Sequence, residues 1–441
     1  MRLTVLGTGY VGAVHAACMA DIGHDVLGVD IDRDRIAALA AGRPPFFEPG
    51  LSAMLKAGVD AGRLRFSTSL AEAAWFADTH FVCVGTPQRP GSGAADLTHV
   101  EAAVDGLAPY LARSGYDRVL VVGKSTVPVG TANRLSARLR ATAPDAEVAW
   151  NPEFLREGCA VRDTLSPERI VVGVRSPQAE TRLRETYAPL LAGGTRFLAT
   201  DPATAELVKV ASNSFLATKI SFINAMAEIC DVTGADVLAL AEAMGADSRI
   251  GPRFLSPGLG FGGSCLPKDI RAFAARAEEL GRGESVAFLR QVDDINTRQR
   301  TRTVDLARQL VGGGFTDRNV AVLGAAFKPC SDDIRDSPAL AVADTVRRQG
   351  AQVRVHDPEA VDNARAACPG LQFAPDVTKA CEGADVVLHL TEWPQYRDLD
   401  PTALAAVVRV PAIVDARNTL DPVTWRSAGW TLRAPGRPRL G

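Results

Sequence analysis

A glycine-rich turn near the start of the chain limits the folds that the chain can adopt. Residues 7–12 read Gly-Thr-Gly-Tyr-Val-Gly, after a short apolar run at residues 3–6 and before an apolar stretch with helical spacing at residues 11–22. Another short apolar run follows at residues 25–30. Strand, glycine turn, helix and strand in this order predict a βαβ unit. In such a unit, the glycines let backbone amides at a helix N-terminus approach a pyrophosphate.

The residue that ends the second predicted strand indicates which dinucleotide binds. Asp30 stands where a carboxylate accepts hydrogen bonds from the adenosine ribose and repels a 2′-phosphate, which favours NAD over NADP. Arg35 weakens this preference, because a guanidinium near the ribose is able to pair with a 2′-phosphate.

The remaining pattern predicts an α/β fold with two Rossmann-like doubly wound domains. Further strands are expected at residues 79–84, 119–123, 147–150 and 169–174, and they extend a parallel sheet to about residue 200. Helical spacing then begins with Asp201 as N-cap and Pro202 at the first helical position of one long helix. A second βαβ pattern follows a run of glycines at residues 312–314.

These changes of pattern divide the chain into expected domains. Residues 1–200 form the first Rossmann-like domain, residues 201–310 a central helical domain, and residues 311–433 the second Rossmann-like domain. Residues 434–441, rich in proline and arginine, are expected to form a disordered tail.

Composition favours a small partner molecule. The 49 basic and 51 acidic residues are interspersed and give a formal net charge of −2, so neither nucleic acid nor an anionic membrane is an expected partner. The sequence has no uninterrupted apolar run long enough to span a bilayer. Eight cysteines lie far apart without metal-ligand spacing, which predicts a cytoplasmic protein without a disulfide framework or a metal site.

One cysteine lies in an unusual setting. Cys265 follows the glycine-rich residues 258–263 and precedes a helix expected to open at Pro267. The helix dipole and the adjacent Lys268 both favour a thiolate, and the glycines leave space for a substrate carbon to reach the sulfur. A dehydrogenase that stops at an aldehyde has no need of a nucleophile. Attack of the thiolate on the aldehyde gives a thiohemiacetal, which loses a second hydride to form a thioester that water hydrolyses.

This scheme also needs an oxyanion donor and a carboxylate that directs water. Glu206, Lys209 and Asn213 are spaced i, i+3, i+7 and share one face of the long helix. Lys209 stands between valines, so burial is expected to leave it partly neutral. The alternative is a solvated helix face with a Glu–Lys pair. Glu153 and Glu157, after the strand that ends at residue 150, are the candidate carboxylates.

Taken together, six segments resemble the UDP-glucose 6-dehydrogenase family, a branch of the UDP-glucose/GDP-mannose dehydrogenases. In chain order they are residues 7–12, 124–128, 151–157, 206–213, 261–269 and 327–335. The resemblance covers nearly the whole chain and implies oxidation of UDP-glucose to UDP-glucuronate with two NAD. Residues 166–173 and 247–251 favour the UDP-glucose branch over the GDP-mannose branch, which shares the nucleophile loop.

The resemblance implies catalytic roles residue by residue. Cys265 matches the nucleophile, and Lys209 and Asn213 match the groups that stabilise the oxyanion. Asp269 and Thr126 match the pair that holds a catalytic water. Asp336 stands where the family commonly has glutamate.

The resemblance also implies binding residues. Glu153 matches a carboxylate implicated in thioester hydrolysis, with Glu157 as the second candidate, and Arg249 matches an arginine that reaches a neighbouring subunit, which implies a homodimer. The implied cofactor contacts are Gly7, Gly9, Tyr10, Val11, Gly12, Asp30, Arg35, Thr86, Thr126, Glu157, Lys268 and Arg335. The implied substrate contacts are Glu153, Phe154, Leu155, Glu157, Lys209, Asn213, Arg249, Phe254, Gly258, Phe261, Gly262, Lys328 and Arg417.

Three alternatives stay open. A GDP-mannose 6-dehydrogenase uses the same chemistry on a guanine nucleotide. A β-hydroxyacid dehydrogenase shares the Rossmann domain and the helix with Lys and Asn, but it needs neither Cys265 nor a second nucleotide-binding domain. An NAD-binding scaffold without turnover would show a degraded catalytic set, whereas here every member is present.

Overall fold

The structure is a computed structural model that describes residues 1–438. It contains two compact units. The first unit comprises Met1–Ser212 and Ala272–Gly283, and the second comprises Asn213–Arg271 and the described residues from Glu284 onward.

The first unit is built on a sheet that has eight strands among the described residues, in the order β3-β2-β1-β4-β5-β6-β7-β8. The strands are β1 (Arg2–Leu6), β2 (Asp25–Val29), β3 (Leu64–Ser67), β4 (Thr79–Val82), β5 (Val119–Gly123), β6 (Ala146–Trp150), β7 (Arg169–Gly173) and β8 (Arg196–Thr200). The helices are α1 (Tyr10–Asp21), α2 (Arg33–Ala40), α3 (Leu51–Asp60), α4 (Leu70–Phe76), α5 (Thr98–Leu111), α6 (Thr131–Arg140), α7 (Ala160–Leu165), α8 (Pro177–Thr186) and α9 (Ala188–Ala192).

The strand order reverses at β1, which has β2 on one side and β4 on the other. In open α/β sheets, ligands bind outside the carboxyl ends of the strands at this kind of switch point. Leu3 and Val5 pack into one apolar cluster with α1, and Leu6 packs into a separate cluster. The sheet is therefore covered on both faces, as in a doubly wound domain.

The parallel sheet predicted to residue 200 is correct except at one place. Strands β6 and β7 meet through an antiparallel pair, Trp150 with Gly173, and β8 then pairs with β7 in parallel. The sequence did not predict the reversal, because an apolar run has the same pattern in either direction.

A central group of helices follows. It contains α10 (Pro202–Thr233), α11 (Val237–Gly245), α12 (Leu266–Glu279), a 3₁₀ turn (Gly283–Val286) and α13 (Phe288–Leu310). The long helix begins at Pro202 as predicted, and Asp201 Oδ1 accepts the N–H of Thr204 at 3.0 Å. None of the helices within residues 1–438 is long and apolar enough to cross a membrane.

The second unit contains a sheet with six strands in the described chain, in the order β11-β10-β9-β12-β13-β14 and parallel throughout. The strands are β9 (Asn319–Leu323), β10 (Gln352–His356), β11 (Gln372–Phe373), β12 (Val386–His389), β13 (Ala412–Asp415) and β14 (Thr431–Arg433). The helices are α14 (Pro338–Arg348), α15 (Val361–Ala367), α16 (Val377–Cys381), α17 (Pro394–Arg397), α18 (Pro401–Ala405) and α19 (Pro422–Ser427). The predicted fold class, with two Rossmann-like sheets and a helical region containing one long helix, is confirmed.

The prediction of a disordered tail is wrong for residues 434–438. Pro435 and Gly436 are buried, Gly436 N–H donates to Asp231 Oδ1 at 2.8 Å, and Val237 N–H donates to the carbonyl oxygen of Gly436 at 2.9 Å. The partners of this segment lie far away in sequence, so its composition alone did not reveal them. Residues 439–441, also part of that prediction, lie outside the described residues.

Candidate active site

The glycine turn has the geometry that a pyrophosphate requires. Gly7 has φ +85°, and a Cβ at Gly12 would lie 1.8 Å from the carbonyl oxygen of Gly7, so the turn and the close approach of α1 both require glycine. Gly9 occupies the N-cap of α1 and provides no side-chain cap. The start of α1 therefore fits a dinucleotide, because no side chain caps the first backbone amides of this helix.

Asp30 lies beside this turn. Its carboxylate accepts the N–H of Thr8 at 2.7 Å and the Arg35 guanidinium at 3.1 Å. Burial by itself raises the pKa of Asp30, but the backbone N–H groups of Thr8 and Asp32 and the Arg35 guanidinium together hold it below its ordinary value. Arg35 also pairs with Asp32 at 3.4 Å. Ile31, an apolar residue that the sequence did not single out, is 89% exposed next to Asp30.

The carboxyl ends of neighbouring strands β4 and β5 carry two threonines. The Thr86 hydroxyl donates to the carbonyl oxygen of Thr126 at 2.8 Å, and the Ser125 hydroxyl donates to that of Val84 at 2.6 Å. A Cβ at Gly7 would lie 2.9 Å from the Cα of Val84. Thr86 and Thr126 therefore lie on the same sheet edge as the glycine turn.

A buried ion pair joins the loop after β6 to the long helix. Lys209 Nζ lies 3.0 Å from Glu153 Oε1, with side-chain exposures of 4% and 7%. Glu153 also accepts the N–H of Leu155 at 2.6 Å. Burial raises the pKa of Glu153, but Lys209 and the Leu155 N–H outweigh it and hold that pKa below its ordinary value. The ring of Phe154 lies 5.6 Å from Lys209 Nζ. The buried Glu153 carboxylate is therefore ionised and lies beside Lys209.

Glu206 binds backbone amides of another helix instead of Lys209, which was its partner in the alternative prediction of a Glu–Lys pair. It is 1% exposed, and its carboxylate accepts the N–H of Gly130 at 2.7 Å and of Ala132 at 2.5 Å at the start of α6. Burial raises the pKa of Glu206 to about 7. The solvated Glu206–Lys209 pair is therefore wrong, because both side chains are buried and they bind different partners.

Lys124 is a further buried cation that the sequence did not single out for a role. Its Nζ donates to Asn151 Oδ1 at 2.9 Å, and Tyr187 OH donates to the same oxygen at 2.5 Å. Burial lowers the pKa of Lys124 to about 8. Asn151 is the first residue of the loop that carries Glu153, so this bond fixes the start of that loop.

Cys265 lies at the start of α12 in the second unit. Asp269 N–H donates to the carbonyl oxygen of Cys265 at 3.0 Å, so the cysteine occupies the N-cap and the helix opens one residue earlier than predicted. The thiol is half-buried, and its sulfur lies 3.5 Å from the Ser264 hydroxyl. The positive end of the helix dipole at this position favours a thiolate.

Asp269 connects two of the predicted site residues. It is 1% exposed, and its oxygens accept Asn213 Nδ2 at 2.7 Å and Lys268 Nζ at 2.5 Å. Lys268 therefore partly neutralises a carboxylate that would otherwise oppose a thiolate at Cys265. The bond to Asp269 connects Asn213, a predicted oxyanion donor, to the helix that follows Cys265 within this unit.

The loop before Cys265 packs tightly against its surroundings. Asn296 accepts the Phe261 N–H at 2.8 Å and donates to the Phe261 carbonyl oxygen at 2.9 Å. Gly263 has φ +83°, donates to the carbonyl oxygen of Arg335 at 2.9 Å, and would place a Cβ 2.7 Å from the ring of Phe327. The glycine at this position serves the packing of the loop.

Arg417 holds the same loop against the second sheet. Its guanidinium donates to the carbonyl oxygens of Leu390 at 2.7 Å, Gly260 at 3.0 Å and Phe327 at 3.3 Å, and pairs with Glu392 at 3.1 Å. These contacts give Arg417 a structural role in the second unit.

The other predicted substrate contacts in this unit make different kinds of contact. Gly258 N–H donates to Asn224 Oδ1 at 2.8 Å, and a Cβ at Gly262 would lie 2.4 Å from the carbonyl oxygen of Asp336. Lys328 Nζ lies 5.4 Å from the ring centre of Phe327.

Two further predicted substrate contacts, Phe254 and Arg249, and the predicted cofactor contact Arg335 differ in conformation or exposure. Phe254 adopts a positive φ of 65°. Arg335 pairs with Asp333 at 2.6 Å, and Arg249, 86% exposed, pairs with Asp247 at 2.6 Å. Among residues 1–438, no group of three metal-ligating side chains is arranged to hold an ion.

Known proteins with similar sequences and structures agree with these observations. Models of the UDP-glucose/GDP-mannose dehydrogenase family match residues 1–191 (NAD binding domain), 203–298 (central domain) and 321–422 (UDP binding domain). A UDP-glucose 6-dehydrogenase of Pseudomonas aeruginosa is 42% identical over 453 aligned residues, covering 100% of this chain and 98% of that protein.

Two solved structures are similar to this chain over nearly its full length. A UDP-glucose dehydrogenase from the hyperthermophilic archaeon Pyrobaculum islandicum superposes with a TM-score of 0.89 at 39% identity, covering 98% of each chain. A GDP-mannose dehydrogenase from Pseudomonas aeruginosa superposes with a TM-score of 0.55 at 29% identity, covering 98% of this chain and 99% of that one. The chain therefore belongs to the UDP-glucose/GDP-mannose dehydrogenase family and carries that family's NAD binding domain at residues 1–191.

Proposed function

We propose that this protein oxidises UDP-glucose to UDP-glucuronate with two NAD, through a thioester on Cys265. The observation that carries the proposal is the position of Cys265 at the N-terminus of α12, with Asn213, Lys268 and Asp269 linked by hydrogen bonds in the same unit. The substrate is taken from the relatives named UDP-glucose dehydrogenase, which are more similar in sequence and fold than the GDP-mannose enzyme.

The reaction begins with removal of a hydride from C6 and a proton from the C6 hydroxyl, which gives the aldehyde. The Cys265 thiolate then forms a sulfur–carbon bond to C6, and the carbonyl oxygen takes up a proton to give a thiohemiacetal. Loss of the second hydride and of the hydroxyl proton gives a thioester. Water attacks C6, the carbon–sulfur bond breaks, and the thiolate and the carboxylate are released. NAD, when bound at the glycine turn and Asp30, accepts one hydride in each oxidation, so two NADH form per sugar.

The buried pair of Lys209 and Glu153 provides two charged groups for this scheme, one for the oxyanion and one for the hydrolytic water. We assign to the Lys209 ammonium and the Asn213 amide the stabilisation of the oxyanion that forms when sulfur or water attacks C6. Asn213 has two N–H donors, one of which Asp269 accepts at 2.7 Å, and the second is the donor that we assign to the oxyanion. Glu153, held ionised, receives a proton from the hydrolytic water, with Glu157 as the second candidate.

The other site residues keep the roles implied by family resemblance. We propose that Asp269 and Thr126 hold the hydrolytic water. The proposed dinucleotide contacts are Gly7, Gly9, Tyr10, Val11, Gly12, Asp30, Arg35, Thr86, Thr126, Glu157, Lys268 and Arg335. The proposed sugar-nucleotide contacts are Glu153, Phe154, Leu155, Glu157, Lys209, Asn213, Arg249, Phe254, Gly258, Phe261, Gly262, Lys328 and Arg417.

We propose a homodimer in which a partner covers the long helix. Phe215, Phe222 and Ile229 recur every seven residues on α10 and are 67%, 46% and 54% exposed. Apolar side chains at this spacing form one stripe along a helix, and a stripe of this kind favours packing against a second copy. Arg249, 86% exposed, is the residue that we expect to reach the partner's sugar site.

We also retain the domain division into residues 1–200, 201–310 and 311–433. We propose a cytoplasmic location, because the eight cysteines lie far apart in the sequence without the spacing of a disulfide framework.

Product analysis tests the substrate. The purified protein, supplied with NAD, is incubated in parallel with UDP-glucose and with GDP-mannose, and the sugar products are identified by mass spectrometry. The proposal predicts UDP-glucuronate from the first incubation and little product from the second. Turnover of GDP-mannose alone would overturn it in favour of the guanine nucleotide.

A further inference from the structure

A buried carboxylate outside the proposed catalytic set fixes the end of the loop that carries Glu153. Glu48 is 5% exposed. Its Oε2 accepts the N–H of Gly158 at 2.7 Å, and its Oε1 accepts the N–H of Ala160 at 2.7 Å, at the first turn of α7. A buried carboxylate with several donors is a strong anchor, because bonds to a charged acceptor are about twice as strong as neutral ones.

The same carboxylate binds a residue of the dinucleotide turn. Tyr10, the first residue of α1 and part of the glycine motif, donates its hydroxyl hydrogen to Glu48 Oε2. The Gly158 N–H also donates to the Tyr10 hydroxyl oxygen at 3.1 Å. Burial, the bond to Glu48 and the charges of Glu48 and Glu157 raise the pKa of the Tyr10 phenol, so it stays protonated and donates. The ring of Tyr10 packs on Phe46 at 4.8 Å between centres.

The loop between β6 and α7, residues 151–159, is therefore fixed at both ends. Lys124 holds Asn151 at its start, and Glu48 holds Gly158 at its end. Glu153, which pairs with Lys209, lies between the two anchors. A change in the position of Gly158 is transmitted along few covalent bonds to Glu157 and the rest of the loop.

We propose that Glu48 is a positioning residue that connects the dinucleotide turn to the Glu153 loop, so that a bound dinucleotide tightens the binding of the sugar nucleotide. This inference rests on the proposed function, in which residues 153–157 contact the sugar nucleotide. A pyrophosphate at residues 7–12 restricts the backbone of Tyr10, and Tyr10 and Glu48 together restrict Gly158. A loop that is already ordered costs less entropy to fix when the second ligand binds, which gives positive coupling without a large movement.

Binding measurements test this directly. The affinity for UDP-glucose is measured calorimetrically with and without saturating NADH, which fills the dinucleotide site but does not permit the oxidation. In the unmodified protein we expect NADH to tighten UDP-glucose binding by about tenfold, within the usual range of coupling between two sites. In Glu48→Gln, the side chain has one acceptor oxygen, so the donors at Oε1 and those at Oε2 cannot all be accepted, and we expect this factor to fall close to one. Tyr10→Phe, which removes only the hydroxyl, should reduce it partly.

A matched variant separates this role from helix capping alone. Asp376→Asn alters another carboxylate that caps a helix, since Asp376 accepts the Lys379 N–H at 2.7 Å in the second unit. It should leave the NADH effect unchanged. If Glu48→Gln fails to fold, Tyr10→Phe carries the test.

The outcomes are distinct. Coupling in the unmodified protein that persists in Tyr10→Phe and in any folded Glu48→Gln would overturn the inference and leave the proposed function standing. The same holds if UDP-glucose binds and NADH has no effect on it. A protein that does not bind UDP-glucose in either condition would overturn the proposed substrate and this inference with it.

Discussion

Lys209 Nζ and Glu153 Oε1 lie 3.0 Å apart, and both side chains are more than nine-tenths buried. Charges at such depth are tolerated only when they are paired, because removal from water is costly for each of them. In the proposed scheme, Lys209 stabilises the oxyanion and Glu153 accepts a proton from water. The pair is thus expected to matter for both stability and catalysis.

The first prediction concerns this pair. Replacing Glu153 by Gln leaves the Lys209 ammonium buried without a counter-charge, and breaking a buried pair in this way costs about 3 kcal/mol or more. We expect the melting temperature measured by scanning calorimetry to fall by several degrees. Asp362→Asn, which breaks the exposed pair with Arg365, should shift it by less than about 1 °C. Equal shifts in the two variants would contradict a structurally important buried pair.

The second prediction concerns catalysis by the same ammonium. Lys209→Ala should lower kcat by about 10²–10³-fold, the usual effect of removing one oxyanion donor. Initial rates at saturating UDP-glucose and NAD measure this. A variant that loses only affinity for UDP-glucose, with kcat unchanged, would assign Lys209 to substrate binding instead.

The third prediction is a pH dependence of stability that arises from Lys124. Burial lowers its pKa from 10.5 to about 8, so the unfolded chain binds more protons between these two pH values. The folded state is therefore penalised for this lysine below pH 8, and the penalty disappears as pH rises toward 10.5. Lys124→Met should raise the melting temperature at pH 7, and its advantage should shrink as pH rises from about 8 to 10. The exposed Lys56→Met serves as the control, and an advantage independent of pH would contradict the burial argument.

The fourth prediction concerns dinucleotide choice. In Asp30→Ala, the adenosine ribose loses its acceptor, and Arg35 loses one of its two carboxylate partners. We expect the KM for NAD to rise by about tenfold and the ratio of NADP to NAD efficiency to increase. Asp34→Ala, an exposed neighbour on α2, should preserve the ratio. The preference for NAD would have another origin if Asp30→Ala kept it intact.

The fifth prediction tests the proposed dimer. Phe222→Glu places a charge in the middle of the exposed apolar stripe on α10 and should shift the mass measured by light scattering from dimer toward monomer. Val423→Glu, at another exposed apolar position, should not change the mass. A monomeric unmodified protein, or a dimer unaffected by Phe222→Glu, would show that the stripe is not the interface.

Local motifs predicted the fold and the local setting of several proposed site residues. The glycine turn, Asp30 beside it and the location of Cys265 shortly before a helix each depend on a few consecutive residues, so the sequence contains the necessary information. The long helix was also predicted at its start, because Asp201 and Pro202 form a local capping signal.

Pairings between distant segments were not predictable in the same way. The sequence placed Glu206, Lys209 and Asn213 on one helix face, but it did not reveal that their partners are the α6 N-terminus, Glu153 and Asp269. Glu48 had no motif of its own. Its role depends on segments more than a hundred residues apart, which only the folded chain brings together.

The stoichiometry of NADH tests the central claim most directly. Purified protein is given a known, limiting amount of UDP-glucose with excess NAD, and NADH is followed by absorbance to the end of the reaction, with Cys265→Ala in parallel. The thioester route predicts two NADH per UDP-glucose in the unmodified protein and loss of this yield in the variant. One NADH per UDP-glucose in the unmodified protein, or two in Cys265→Ala, would contradict it.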